Sequence, residues 1–460
     1  MLWLHARSAG TMVVVSAERA SGQETSGTTP TERGLTMTRN LTAGFALLST
    51  VLITCLGAAP VDPLKFPGAV ACTDSTPGGK GGQVLRVTNL NADGPGSLRT
   101  ALDATGARIV VFEVGGVIDL DMKSIGIRKP FITIAGETAP SPGITLIRGS
   151  LGIGTNDVIV RHLRVRPGDA GKAKKSGWEP DGISAYSGRA YNILIEHCSV
   201  TWAVDENVST SGSRTAGPGA TAHAITIRNC IIAEGLDDSS HKKGRHSKGT
   251  LIHDCCQGIS IVGNLYAHNV ERNPFFKAHA TGVVVNNVIY NPGTRAVQMS
   301  WSEREWRVTT RKPANCRISV VGNVLLHGPD TKPSLGLVTR QGDVYLKDNI
   351  ALDREGKPVA MTQGKRVVVL DKPPIWLEGL KALPAAETLA HVVQQVGARP
   401  KDRDAIDQRI ITDLKERKGR IIDSQTEVGG YPEQAMTRRP LNVPEEGIEA
   451  WLRTFSAQVE

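Results

Sequence analysis

The chain has 460 residues, of which 40% are hydrophobic, 22% charged and 4% aromatic, with 49 glycines and a formal net charge of +9. This composition supplies enough apolar residues for a packed core and excludes a chain that is disordered throughout. Many glycines with few aromatic residues are typical of short strands joined by tight turns. The positive charge favours a polyanionic partner, whether nucleic acid, anionic lipid or acidic polysaccharide, and does not choose among them.

Residues 1–59 are predicted to form an N-terminal extension and a signal peptide. Residues 1–36 are rich in Ser, Thr, Gly and Glu, which is typical of an unstructured segment. From Met37, an Arg is followed by an apolar run that ends in small residues, as in a secretory signal peptide cleaved near Ala58. A membrane anchor is the alternative, but the run is short for a span. We therefore expect a secreted or periplasmic protein.

One short strand pattern recurs through the middle of the chain. Each unit alternates β-branched residues, breaks at a polar residue or Gly, and continues in a second apolar run. The units begin 24 to 35 residues apart and are "DVIVRHLRV", "NILIEHCSV", "AITIRNCII", "GISIVGNLY", "GVVVNNVIY", "RISVVGNVL" and "DVYLKDNIA". Such strand units with inserts of variable length indicate a stacked solenoid and exclude helical repeats. We predict an all-β fold, a right-handed parallel β-helix of roughly eight to ten coils over residues 60–352.

One position of the repeat is expected to form a ladder of side chains. Aligned units place Asn264, Asn323 and Asn349 there, where an Asn can hydrogen-bond the backbone of the neighbouring coil. Cys198 and Cys230 occupy the same position in successive coils. Because strands stack about 4.8 Å apart, a disulfide between them and a pair of stacked thiols are both open.

The repeat stops after about Leu352, and residues 353–460 are predicted to be a charged, helical and irregular tail. The segments "AAETLAHVVQQVGA" and "RDAIDQRIITDLKERKGRIID" predict amphipathic helices. We expect this tail to pack along the outside of the solenoid or to cap its end, without forming a second catalytic domain.

Two pairs of acids suggest a metal site on the inserts between coils, where solenoids carry their function. Glu179 and Asp181 precede one coil, and Asp205 and Glu206 follow one coil later. Carboxylates at the same edge of adjacent coils converge and repel one another. A hard cation with oxygen ligands, most naturally calcium, would resolve this repulsion. Four solvated loop acids are the alternative.

Cations gather on the coils that follow. Lys248 ends a basic cluster that also contains His241, Lys242, Lys243, Arg245 and His246. Arg272 and Lys277 lie one coil beyond Lys248. A metal cluster beside fixed cations is suited to a polyanionic sugar, since both would bind the carboxylates of uronic acids.

A set of segments resembles secreted bacterial pectate lyases of the polysaccharide lyase family 1 type. They are "GGKGGQVLRVTNLNADGPGSLRTAL", "ITIAGETAPSPGITL", "VIVRHLRVRPGD", "NILIEHCSVTWAVDEN", "GNLYAHNVERNP" and "VVNNVIYN". The resemblance implies a parallel β-helix enzyme that cleaves polygalacturonate by calcium-assisted β-elimination to unsaturated oligogalacturonides. The expected partner is therefore this acidic polysaccharide, not nucleic acid or a membrane, and the chain is expected to act as a monomer.

The resemblance also assigns a calcium site. Asp181 and Asp205 match calcium ligands of the family, and Glu179 falls where many members hold a second acid. Ser209 stands where members place a further calcium carboxylate, and Glu206 is the candidate to replace it.

Three cations receive roles by the same resemblance. Lys248 matches the lysine that binds a substrate carboxylate, and Lys277 falls at a second, substrate-binding arginine. Arg272 matches the arginine assigned as the catalytic base. A guanidinium ordinarily has a pKa above about 12, so this role requires neighbouring positive charge to lower that pKa.

Two other functions remain open on the sequence. A β-helix galacturonan hydrolase would use paired acids, for which Asp237 and Asp238 are candidates. A non-catalytic, polysaccharide-binding solenoid is the second alternative, since Ser209 replaces a metal carboxylate.

Overall fold

The computed structural model describes residues 76–460, and the predicted extension and signal peptide over residues 1–59 lie outside them. The strands of the first half are β1 (Gln83–Val87), β2 (Arg108–Phe112), β3 (Val114–Asp119), β4 (Ile125–Ile127), β5 (Ile132–Ala135), β6 (Ile144–Ile147), β7 (Leu151–Ile153), β8 (Val158–Arg161), β9 (Leu163–Arg166), β10 (Ile183–Tyr186), β11 (Tyr191–Glu196), β12 (Ser199–Thr201), β13 (Glu206–Ser211), β14 (His223–Arg228) and β15 (Ile231–Ala233).

The remaining strands and the helices complete the chain. The strands are β16 (Lys248–Ile252), β17 (Gln257–Val262), β18 (Leu265–Ala267), β19 (Phe275–Phe276), β20 (Thr281–Val285), β21 (Val288–Tyr290), β22 (Val297–Met299), β23 (Arg317–Val321), β24 (Val324–Leu326), β25 (Val338–Lys347), β26 (Ile350–Leu352), β27 (Thr362–Val369) and β28 (Thr437–Arg438). The α-helices are α1 (Leu98–Asp103), α2 (Glu303–Trp306), α3 (Ala385–Gln395), α4 (Ala405–Glu416) and α5 (Ile448–Val459). Short 3₁₀ helices cover Gly136–Thr138, Pro218–Ala220 and Gln425–Val428.

Three parallel ladders of strands run along the molecule. The first ladder is β4, β7, β10, β13, β16, β19, β22 and β25. The second ladder is β1, β2, β5, β8, β11, β14, β17, β20, β23, β25 and β27. The third ladder is β3, β6, β9, β12, β15, β18, β21, β24 and β26, joined at one end by the antiparallel β28. The prediction of a right-handed parallel β-helix is confirmed.

Inward-facing aliphatic residues form columns that hold the coils together. Ile193 and Ile195 of β11 lie in register with Ile225 and Ile227 of β14, which in turn pair with β17. All of these side chains are buried. A single coil leaves such a column exposed, so the apolar burial that stabilises the fold arises only when coils stack.

The predicted asparagine ladder is present and has one more member than predicted. Asn264 donates to the Oδ1 of Asn287 at 2.9 Å, Asn287 to Asn323 at 3.0 Å, and Asn323 to Asn349 at 3.1 Å. Asn287 also donates to the backbone oxygen of Ile261 at 2.9 Å. The segment "VVNNVIY" has two adjacent Asn residues, Asn286 and Asn287, and the sequence alone does not say which of them occupies the ladder position.

Cys198 and Cys230 extend the same ladder as free thiols. The backbone N–H of Cys198 lies 3.4 Å from the Sγ of Cys230, and the N–H of Cys230 donates to Asn264 at 2.9 Å. Both cysteines are fully buried and unbonded to one another. Of the two alternatives, the structure has the stacked thiols.

The tail packs against the solenoid over much of its length. Helices α3 and α4, both predicted, contribute Val392 and Ile410 to an apolar cluster with Ile231 and Leu265 of the third ladder. Helix α5 was not predicted and places Leu452 in a cluster with β2. Among residues 76–460, no helix is both long and apolar enough to cross a membrane.

Buried ion pairs join the tail to the coils. Arg166 of β9 is fully buried and its guanidinium contacts Asp404 at 2.6 Å and Asp407 at 2.8 Å. Arg409 of α4 contacts the buried Glu234 at 2.6 Å. Because removing one partner would leave a buried charge unpaired, these contacts fix where the tail lies on the third ladder.

Strand β27 continues the parallel pairing beyond residue 352, where the predicted solenoid ends. It pairs with β25 along its length, and within residues 76–460 no further strand pairs with its other edge. Lys365, Arg366, Val368 and Val369 are exposed on this strand. The predicted division into a 60–352 domain and a 353–460 tail stays a prediction.

We expect Asn287→Ala to lower the free energy of unfolding by about 3 kcal/mol, because it removes several buried hydrogen bonds and leaves their partners unsatisfied. Asn349→Ala is the matched control at the half-buried end of the ladder and should cost less than half as much. Urea denaturation followed by circular dichroism measures both. Equal losses of unfolding free energy in the two variants would contradict a larger contribution from the buried interior of the ladder.

Candidate active site

A cleft of about 480 Å³ lies over the first ladder. Its lining combines acids, cations and two aromatic side chains: Asp205, Glu206, His246, Glu271, Arg272, Phe275, Lys277, Trp301 and Glu305 among others. Most of these residues lie in or next to β13, β16 and β19, and Trp301 and Glu305 lie in the segment after β22. Four of the predicted site residues, Asp205, Glu206, Arg272 and Lys277, therefore line one cleft.

Three of the four predicted metal ligands converge. Asp181 lies just before β10, and Asp205 and Glu206 lie at the start of β13, the strand that pairs with β10. One carboxylate oxygen from each of the three lies within 4.8 Å of the others. Parallel pairing causes this convergence, because residues that precede paired parallel strands meet at the same edge.

Asp181 is the acid that this crowding affects most. Burial and the neighbouring charge of Asp205 raise the pKa of Asp181 to about 7. Ser209 donates its hydroxyl to Asp181 Oδ2 at 2.7 Å, and the Glu206 N–H donates to Oδ1 at 3.2 Å. Ser209 thus supports an acid of the cluster instead of supplying one.

Two histidines hold Asp205. The Nε2 atoms of His246 and His241 lie 2.7 and 3.8 Å from the two carboxylate oxygens of Asp205. The imidazole rings stack with their centroids 3.8 Å apart. Although burial alone would raise it, these contacts keep the pKa of Asp205 below its ordinary value. The sequence assigned both histidines only to a basic loop.

Glu179 lies apart from the three converging acids. Its Oε1 accepts the backbone N–H of Lys242 at 2.8 Å, and its Oε2 lies 3.0 Å from the Lys242 ammonium. Burial would raise the pKa of Glu179, but both contacts with Lys242 outweigh it and lower that pKa. The structure therefore pairs this acid with the basic loop.

Arg272 is the cation closest to the acids. It forms an ion pair with Glu206, and its guanidinium lies 5.7 Å from the ring centroid of Phe275. Burial lowers the pKa of Arg272, while Asp205 and Asp181 oppose this shift. The lowering has the expected direction, but its cause is desolvation, whereas the sequence suggested neighbouring positive charge. Arg272 also adopts a left-handed backbone with φ of 67°, which is strained for a residue with a Cβ.

Lys248 and Lys277 are both held by carboxylates that the motifs did not indicate. The Lys248 ammonium contacts Glu271 at 2.7 Å. The Lys277 ammonium contacts Glu305 at 2.8 Å and Asp254 at 3.3 Å. Glu305 lies in α2, within an insert that has no repeat pattern, so sequence spacing could not place it.

Asp237 and Asp238, the candidate acids of a hydrolase, lie in separate ion pairs. Asp237 contacts Arg245 at 2.7 Å, and Asp238 contacts Lys174 at 2.8 Å. Each carboxylate is thus neutralised by its own cation, which does not suit a general acid and base acting together.

Fold and cleft together define a class: a parallel β-helix protein with acids and cations gathered on one face. Among solved structures, the crystal structure of Jun a 1, the major allergen from cedar pollen, is similar to this chain with a TM-score of 0.51 and 16% identity, over 72% of this chain and 92% of that one. At this identity the likeness supports the fold alone. No protein-family model matches the chain.

Curated relatives give the family. A probable pectate lyase C of Aspergillus terreus is 33% identical over 405 residues, which cover 84% of this chain and 85% of the relative. A probable pectate lyase C of Aspergillus flavus is 30% identical over 416 residues, with 87% and 90% covered. The chain belongs to the pectate lyase family, and the prediction of a polysaccharide lyase is confirmed at that level. These relatives are fungal, so they do not support the expected bacterial origin.

The ion pair between Arg272 and Glu206 predicts a coupled effect on stability. Arg272→Ala should lower the free energy of unfolding by about 3 kcal/mol, because Glu206 is then left buried beside Asp181 and Asp205 without its cation. Adding Glu206→Gln should recover about half of this loss. Urea denaturation of the wild type, Arg272→Ala, Glu206→Gln and the double variant, all in the presence of a chelator, gives the double-mutant cycle. A double variant less stable than Arg272→Ala would contradict the assigned pairing.

Proposed function

We propose that the chain cleaves polygalacturonate by β-elimination in the cleft over the first ladder. One observation carries this proposal: three converging carboxylates adjoin Arg272, Lys248 and Lys277 on the same face. A chain of uronic acids offers one carboxylate per sugar, which the cations can bind directly and the acids can bind only through a metal cation. Membership of the pectate lyase family supports the substrate class.

Asp181, Asp205 and Glu206 are the proposed calcium ligands. Their donors are all oxygen atoms, which suits calcium. The pKa of Asp181 is raised first by burial and second by repulsion from Asp205, and a bound cation would relieve that repulsion. When bound there, calcium supplies positive charge that stabilises negative charge on the substrate carboxylate. Glu179 is not included, because its carboxylate is not among the three whose oxygen atoms lie within 4.8 Å of one another.

The cations of the chain take the remaining proposed roles. Lys248 and Lys277 bind substrate carboxylates and stabilise the charge that develops beside the reacting carbon. In its neutral form, Arg272 accepts the proton from the carbon next to the uronate carboxylate. The electrons of that C–H bond form the double bond to the adjacent carbon, whose bond to the glycosidic oxygen breaks, and the released oxygen takes a proton from Arg272 or from water. Burial supports this role, because it lowers the pKa of Arg272. The ion pair with Glu206 must open, and Arg272 must lose a proton, before Arg272 can act as the base.

Export and a monomeric state remain part of the proposal. The signal-like segment from Met37 supports export. Expression in a heterologous host should release the mature protein into the medium, shortened by cleavage near Ala58.

Substitution of the proposed base tests the chemistry. Arg272→Lys keeps a cation beside Glu206, so folding should be preserved, while product formation should fall by roughly 10²- to 10⁴-fold. Ultraviolet absorbance of the unsaturated product from polygalacturonate gives the rate, and circular dichroism checks the fold. Arg304→Lys on the exposed helix α2 is the matched control. Full activity of Arg272→Lys would refute the role. Saturated products from the wild type would instead indicate a hydrolase, and binding of polygalacturonate by the wild type without turnover would indicate a binding solenoid.

A pair of acid variants tests the ligand set. We expect Asp181→Asn to weaken calcium binding by roughly tenfold or more, because the charge of the ligands sets affinity, and Glu179→Gln to change it less than about twofold. Isothermal titration calorimetry without substrate measures both. If Glu179→Gln weakened calcium binding as much as Asp181→Asn, the proposed set of three ligands would be wrong.

A further inference from the structure

The floor of the cleft continues along the first ladder beyond the charged centre. Outward-facing side chains of successive strands form one row, in which Tyr186, Ser211, His253, Lys277 and Ser300 are aligned by the pairing register of β10, β13, β16, β19 and β22. His253, Lys277 and Ser300 line the cleft itself. Tyr186 belongs to the same row, three strand spacings of about 4.8 Å from Lys277.

Tyr186 is seated as a flat platform on the preceding coil. Gly152 and Gly154 of the neighbouring segment lie under its ring, where a Cβ would come within 3.2 and 3.0 Å of the ring atoms. Neither glycine has a positive φ, so their backbone would accept any residue. Their missing side chains leave space for the ring instead. One face of Tyr186 is therefore packed against the backbone, and the residue remains 39% exposed.

A cation, Arg128, lies at the end of the same row. Arg128 directly follows β4, whose Ile127 pairs with Ile153, so Arg128 is level with Gly154 and Tyr186. It is exposed, and no hydrogen bond or ion pair joins it to another residue of the described chain, 76–460. Lys277 of the same row differs in this respect, since Glu305 holds it.

We propose that Tyr186 and Arg128 form a further subsite that binds a uronate residue of the polymer outside the cleft. The inference rests on the proposed function and extends it to a longer stretch of substrate. The exposed face of Tyr186 stacks on the C–H face of a sugar ring, as aromatic surfaces do with apolar groups. Arg128 pairs with the carboxylate of the same or the next sugar. The subsite favours long chains, because a short oligomer bound at Arg272 does not reach it.

Kinetics on two chain lengths test this subsite. Tyr186→Ala should raise KM for polygalacturonate roughly tenfold with little change in kcat, as loss of one stacking contact predicts. KM and kcat for trigalacturonate should be unchanged, because a trimer with its scissile bond at Arg272 extends at most two sugars towards Tyr186. Tyr186→Phe keeps the ring and should behave as the wild type.

Tyr191→Ala is the matched control. Tyr191 is 37% exposed on the same coil but begins β11 of the second ladder, where it stacks on His223 at 5.0 Å. Tyr191→Ala should leave KM unchanged for both polygalacturonate and trigalacturonate. An unchanged KM of Tyr186→Ala on the polymer, or an equal effect of Tyr191→Ala, would overturn the subsite.

Binding separates this inference from the proposed function. In an Arg272→Lys background, affinity electrophoresis in polygalacturonate with calcium should show weaker retardation for Tyr186→Ala than for Tyr191→Ala. If the wild type released no unsaturated product but this difference persisted, the lyase proposal would fail and the subsite would stand. If the lyase were active and the difference absent, the subsite alone would fail.

Discussion

In-register stacking of parallel coils is the constraint on which the rest of the molecule depends. Each residue of a strand faces its counterpart on the next coil about one strand spacing away, at roughly 4.8 Å. In the interior this places isoleucine on isoleucine and asparagine on asparagine. At the edge where β10, β13 and β16 begin, the same rule sets acids beside acids and Glu206 level with Lys248. The distances between charged residues of neighbouring coils in the cleft are therefore set by the same strand spacing that packs the core.

Several charged groups of the cleft are already paired within the protein. Glu206 is paired with Arg272, Lys248 with Glu271, and Lys277 with Glu305. The carboxylates of a polyanionic ligand must therefore displace protein carboxylates from these cations. Such an arrangement holds the side chains in position before binding, at the cost of some affinity, and it favours ligands that offer several carboxylates at once.

Periodicity decides how much of this could be predicted from the sequence. The strands, the coil axis and three ladder asparagines follow from a pattern that repeats, and so does the meeting of Asp181 with Asp205. The partners of the site do not repeat: His241, His246 and Glu305 lie in inserts whose paths no period describes. The capture of Glu179 by Lys242 depends on such a path as well. Helix α5 was missed because the charged tail around it offered no boundary signal.

The open edge of β27 has a consequence for the behaviour of the protein at high concentration. An unpaired strand at the end of a sheet is a template for other chains, and Val368 and Val369 would favour such growth. Lys365 and Arg366 project charge from the same strand and repel a second copy that approaches end to end. By this argument, the two charged side chains oppose end-to-end stacking of the solenoid into a fibre along its own axis.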